Sequence, residues 1–221
     1  MWRDVALVAG RDLRIELRSR VATNQVAPFA LLVLILFAFA LDPDTGVLES
    51  ATPGLYWIVV LFSGTLAVSR SGSVDEADGI RDALRLSGLP PTALFLGKAA
   101  AVAAQLLALE LVLVGAVGVL YGAPLGGFPL MAATCLAATV AVAATGVLYS
   151  GLVAGLRVRD TLLPLLLLPV LAPVLIGATR AFEDAFGADG IRGWEWCGLV
   201  VLFAVVYVVA GCLAYGALLE G

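Results

Sequence analysis

Glu110, with Gln105 five residues before it, sits inside a long apolar run, residues 93–121. A charged group at bilayer depth costs about 2.5–3.5 kcal/mol on insertion scales, so this side chain has to face protein or water rather than lipid. Its chemistry is then a polar gate, a contact to another membrane subunit, or a protonated or hydrogen-bonded packing group. Little else in the chain could do chemistry. There is no histidine, which removes the commonest general base and the commonest metal ligand. Cys135, Cys197 and Cys212 are odd in number and show no CxxC spacing, so they read as small apolar packing residues. GxSxG, HExxH and the ATP-cradling GxxxxGK[ST] are all absent. An intramembrane enzyme is therefore the least favoured class, and no metal or directly bound cofactor is expected.

The elements that must position these residues follow from composition. Of 221 residues, 62% are hydrophobic and 14% charged, with mean hydropathy +1.04, whereas soluble domains carry about 25% charged residues. The natural solvent for most of this surface is lipid. Apolar runs at 26–41, 55–68, 93–121, 128–156, 162–179 and 197–219 give six spans, the second short enough to need its flanks. They lack strict alternation, so an all-α polytopic membrane protein is expected, forming one permease domain over 1–221.

Lysines and arginines set the orientation. Eleven of the 13 precede span one, flank the loop between spans two and three, or lie between spans four and five. The other side has Arg180 and Arg192 among seven acidic residues. Both termini are thus expected in the cytoplasm, with the chain in the cell (inner) membrane. Ala38-Phe39-Ala40 has the A-x-A form of a signal cleavage site. Its long preceding segment, containing Asp4, Asp12 and Glu16, is unlike a signal peptide.

Within residues 1–22, Trp2, Ala6, Ala9, Leu13 and Leu17 share one side of a helix and Arg3, Arg11, Arg14 and Arg18 another. An interfacial helix is expected, its arginines toward anionic lipid or a cytoplasmic partner, with a plain positive-inside flank as the alternative. The loop 69–92 predicts a short helix. Asp75, Glu76 and Asp78 stand at its start, Ile80, Ala83, Leu84 and Ser87 form a narrow face, and Gly88 with Pro90-Pro91 ends it. Such a helix is a docking element, unless it is only a generic loop.

The run Glu76-x-x-Gly79-x-x-x-x-Leu84-x-Leu86-x-x-x-Pro90, followed by Lys98, resembles the coupling segment of ABC-2 type permeases. The whole chain is similar to the cytochrome c maturation protein B family within them. The matching pieces are Arg11-x-x-Arg14-x-Glu16-Leu17-Arg18, Pro53-Gly54-x-x-Trp57, Arg70, Asp78-Gly79 through Lys98, and Pro169-x-x-x-Pro173. Ser69 stands before Arg70 where the resemblance leads one to expect an acidic residue. What the resemblance implies is a membrane subunit without ATPase activity, working with a separate ABC ATPase that binds the ATP. Asp75, Glu76, Asp78, Gly79, Leu84, Leu86 and Pro90 would couple to that ATPase. It implies further partners, a haem-handling membrane protein and a haem chaperone, with haem as possible cargo. An ABC-2 permease exporting a drug, lipid or glycan is the alternative, and no nucleic-acid partner is expected.

Three further features complete the expectations. Gly118-x-x-x-Gly122 and Gly151-x-x-x-Gly155 suit close helix packing within the bundle or in a homodimer. Pro164, Pro169 and Pro173 should kink span five, with Pro169 and Pro173 as hinge candidates. The segment 180–195 reads as a short outer-surface helix that could offer Phe182 and Phe186 to an external partner, with Trp194 and Trp196 as belt aromatics.

Overall fold

Prolines and glycines divide the apolar sequence into helices. The computed structural model describes residues 1–19, 25–41, 46–76, 88–123, 126–154, 156, 158–188 and 190–220. Among these it places α1 (Trp2–Ser19), α2 (Ala27–Ala40), α3 (Val47–Glu76), α4 (Pro91–Leu120), α5 (Phe128–Leu152), α6 (Arg159–Ala185) and α7 (Gly193–Glu220), and no strand. α2, α4 and α5 each carry a proline in their first two positions, where its fixed φ helps and its missing N–H is not needed. α6 ends in a left-handed turn at Gly187 (φ +91). There Gly187 N donates to Asp184 O and Ala188 N to Glu183 O, at 2.9 and 3.0 Å, closing the last turn of the helix.

Five stretches are long and apolar enough to cross a membrane: Val47–Gly72, Pro91–Leu120, Phe128–Leu152, Thr161–Ala185 and Gly193–Leu218. α2 is apolar but has 14 residues, about 21 Å of helix against a hydrocarbon core of about 30 Å. Among the described residues there are thus five full-length spans and one shorter apolar helix, where the sequence predicts six spans. The short second span does extend into its flanks, since α3 runs 30 residues through Pro53 to Glu76. Residues 69–76 thus belong to α3 and are not part of a separate loop.

α5 is the central post, packed by α3, α4, α6 and α7. Its residues are mostly alanine, threonine, glycine and valine, so neighbours can approach on several sides. Against α3 the fit is reciprocal: Gly64 receives Val142, and Gly146 receives Val68. α3 and α5 therefore run in parallel, as two spans separated by one return pass should. α7 closes on α4 where Gly211 lies against the ring of Phe95. Large apolar side chains such as Leu165, Leu202, Val205 and Leu213 stay on the outside, as lipid-facing residues should.

α6 stays one helix across Pro164, Pro169 and Pro173. Between the last two, Tyr207 of α7 donates its hydroxyl to Val170 O at 2.6 Å. Gly118, Gly122, Gly151 and Gly155 are the expected close-approach positions. Of those four glycines, Gly122 is a turn residue (φ +64) with open space around it, and Gly151 packs on Tyr215 at ordinary contact distance, while Gly155 lies outside the described residues.

Candidate functional site

Charged groups in an apolar bundle must be paired or stay at its ends. At the α1 end, Val8 of α1 packs over Gly97 of α4. The next residue, Lys98, is 4% exposed, and its Nζ reaches Asp12 Oδ2 at 3.4 Å. Asp12 also takes Arg11, with Nη2 to Oδ1 at 2.7 Å. Beside this ion cluster, a polar cleft between α1, α3 and α4 is lined by Asp12, Ile15, Glu16, Arg70, Ser71 and Gln105. Arg70 Nη1 donates to Gln25 Oε1 at 2.9 Å, tying the start of the α2 region to α3.

The apolar residues Trp2 and Leu17 stand 74% and 75% exposed, and Arg3, Arg14 and Arg18 are exposed as well. Arg11 is half-buried through Asp12. α1 is therefore held to the bundle by a narrow face around Val8 and Asp12. Trp2, Ala6 and Leu17 of its apolar side and three of its four arginines are left open.

Of the docking segment, Asp75 and Glu76 form the last turn of α3, and Pro90 caps α4 with an extended backbone (φ −58, ψ 133). Asp78, Gly79, Leu84 and Leu86 lie outside the described residues. α4 begins at Pro91, almost two turns before Gly97 and Lys98.

Deeper in the bundle a second polar centre forms around Glu110, which is 2% exposed. Thr139 of α5 donates its hydroxyl to Glu110 Oε1 at 2.6 Å. One turn along α5, Cys135 Sγ lies 3.4 Å from Tyr56 OH of α3. Gln105 and Glu110 thus belong to different places. Five residues of helix turn about 140° beyond a full circle, so Gln105 lines the cleft toward α1 while Glu110 faces α5.

An aromatic cluster stands above this centre. Phe182 is fully buried, with ring centroids 4.9 Å from Tyr56, 5.1 Å from Trp57 and 5.7 Å from Phe186. In place of the expected outer-surface helix over 180–195, residues 180–185 end α6 and 193–195 begin α7, and Phe182 is a core residue closed to an external partner. Trp194 is exposed and Trp196 half-buried. Asp184 Oδ2 accepts from Gly193 N at 3.0 Å and caps α7. Pro169 is exposed and Pro173 half-buried on α6. Among the described residues no group of histidine, cysteine, aspartate or glutamate could hold a metal ion.

Asp12, Thr139 and the Tyr56–Cys135 pair were not singled out by sequence reasoning. A lysine and a glutamate within one apolar helix were the available signal, since each must find a partner on a neighbouring helix.

Comparison with known proteins gives one consistent result. Residues 3–220 match the family model described as CcmB protein. The chain is 32% identical over 200 residues to the heme exporter protein B of Paracoccus denitrificans, covering 87% of this chain and 88% of that one. It is 31% identical over 189 residues to the heme exporter protein B of Haemophilus influenzae, covering 79% of each. With the protein of the same name from Bradyrhizobium diazoefficiens it shares 30% over 214 residues, covering 96% and 95%.

Proposed function

The chain belongs to the CcmB protein family, and on that premise we propose that it is the membrane permease subunit of an ABC exporter serving cytochrome c maturation. A separate ATPase hydrolyses ATP, because the sequence has no phosphate-cradling motif of its own. The work done is haem export, or release of a haem-loaded chaperone from a haem-handling membrane protein on the outer face. Haem is cargo, and this chain contributes no histidine ligand to it. The chain sits in the inner membrane with six crossings, α2 being the short one, and with both termini in the cytoplasm. A homodimer around the ATPase pair completes the assembly.

The observation that carries this reading is the docking of α1 on the start of α4, through Val8 on Gly97 and Lys98 with Asp12. The α3–α4 segment, with Asp78, Gly79, Leu84 and Leu86, joins α4 at Pro90-Pro91, just before that contact. When the ATPase dimer closes, its push on this segment passes to α4 and carries α1 with it. α1 lies in the headgroup region with Trp2 and Leu17 in lipid and Arg3, Arg14 and Arg18 toward anionic headgroups. Pro169 and Pro173 let α6 bend as the bundle responds.

The test is complementation. A strain lacking its own copy and carrying Leu84→Asp with Leu86→Asp should insert the protein normally yet fail to mature c-type cytochromes and fail to retain the ATPase. Normal ATPase association in that variant would remove the docking role.

A further inference from the structure

Four buried side-chain atoms find no hydrogen-bond partner among the described residues: Trp57 Nε1, Ser63 Oγ, Glu110 Oε2 and Thr134 Oγ1. They come from α3, α4 and α5, and the packing register sets them at neighbouring depths. Gly64 meets Val142 and Leu106, Glu110 meets Thr139, and Tyr56 meets Cys135. Along α3 the groups spread over about 10 Å, at 1.5 Å per residue. Trp57, Glu110 and Thr134 lie in the half of the bundle nearer the starts of α3 and α5 and the end of α4.

Each orphan forfeits a hydrogen bond that an apolar residue of the same shape would not need. Their chemistry narrows the guest that could complete them. Trp57 Nε1 only donates, so the guest must accept. Glu110 Oε2 accepts as a carboxylate and donates as an acid, so the guest must be able to do both. A bare cation would meet the indole N–H head on, and an anion would meet Glu110. A small neutral molecule that donates and accepts, with two to four polar partners, is water.

We propose that the layer formed by Trp57, Glu110 and Thr134, with Tyr56, Cys135 and Thr139 around it, is an internal water-binding site within the bundle, in the half nearer the starts of α3 and α5. It gives α4 a hydrated seam against α3 and α5, across which hydrogen bonds can be exchanged as the helices shift.

X-ray radiolytic labelling of the full chain in lipid nanodiscs, in heavy-oxygen water, reads this directly. Oxygen uptake at Trp57, Tyr56 and Cys135, each normalised to its rate in the denatured chain, should exceed that of Phe95 several-fold. Phe95 is equally buried but lies in the other core cluster. Glu110→Leu should bring the three rates down to that of Phe95, and Thr134→Val should lower them without removing a charge. Rates no higher than that of Phe95 in the unaltered chain would overturn the site. Rates unchanged in both variants would overturn its assignment to these side chains. Neither readout depends on the cargo or on the ATPase.

Discussion

Val8 of α1 fills the space that a side chain at Gly97 of α4 would need: a methyl group at 97 would stand 2.6 Å from Val8 Cβ and 3.0 Å from Val5 O. A helix whose sequence reads as a membrane-surface element is thereby locked to a spanning helix at one glycine.

Gly97→Ala should push α1 off the bundle at a cost of about 1–3 kcal/mol, the usual range for overpacking. Limited proteolysis at the N-terminal helix reports it as faster cleavage in detergent. Adding Val8→Ala should recover part of the loss, since the two side chains share one space. No recovery would mean that the contact is not what holds α1.

Two glycines of the central packing should behave oppositely. At Gly146 a methyl group would run into Val68, so Gly146→Ala should lower thermal stability by about 1–3 kcal/mol. At Gly54 nothing lies within 4 Å, so Gly54→Ala should be neutral or stabilising by about 0.5–1 kcal/mol, the ordinary helix preference for alanine. Thermal melts in one detergent compare them.

Thr139→Val removes the donor to Glu110 Oε1 and should cost about 1–3 kcal/mol, because a buried acceptor is left unpaired. Thr139→Ser keeps the hydroxyl and should cost less. The pair Thr139→Val with Glu110→Leu should be less damaging than Thr139→Val alone, since removing both partners leaves nothing unsatisfied. A double loss equal to the sum of the Thr139→Val and Glu110→Leu losses would show that Glu110 and Thr139 do not depend on each other.

Tyr207→Phe removes the hydroxyl tie to Val170 O between Pro169 and Pro173. A loss of about 0.5–1.5 kcal/mol is expected from one neutral hydrogen bond. If α6 bends at those prolines, cytochrome c output should fall more than stability does, which paired melting and cytochrome assays would separate.

Much of the fold was legible because lipid imposes simple rules. Apolar length marked the helices, as where the run expected from residue 93 became α4, which begins at Pro91. α3 ran beyond its apolar core because polar residues 69–76 contain nothing that stops a helix. α2 came out short because its apolar run is itself short, ending at Leu41 before Asp42 and Asp44. The site was legible only in part. Glu110 announced itself as a charge in an apolar run, but its partners lie on other helices, where sequence spacing says nothing. Gly64, Gly97, Gly146 and Gly211 were hidden among 24 glycines, because what matters is which neighbour they face. Phe182 lay in a segment of mixed charge and aromatics, a pattern shared by exposed surfaces and by helix ends that cover a core.

The central claim, that this chain is the permease of a cytochrome c maturation exporter, is tested most directly by purifying it in mild detergent from its native membrane and identifying by mass spectrometry what stays bound. A soluble ABC ATPase should be recovered together with a haem-handling membrane protein, with the ATPase lost from the Leu84→Asp, Leu86→Asp variant. Recovery with no ATPase, or with an ATPase and enzymes that process a drug, lipid or glycan, would contradict it.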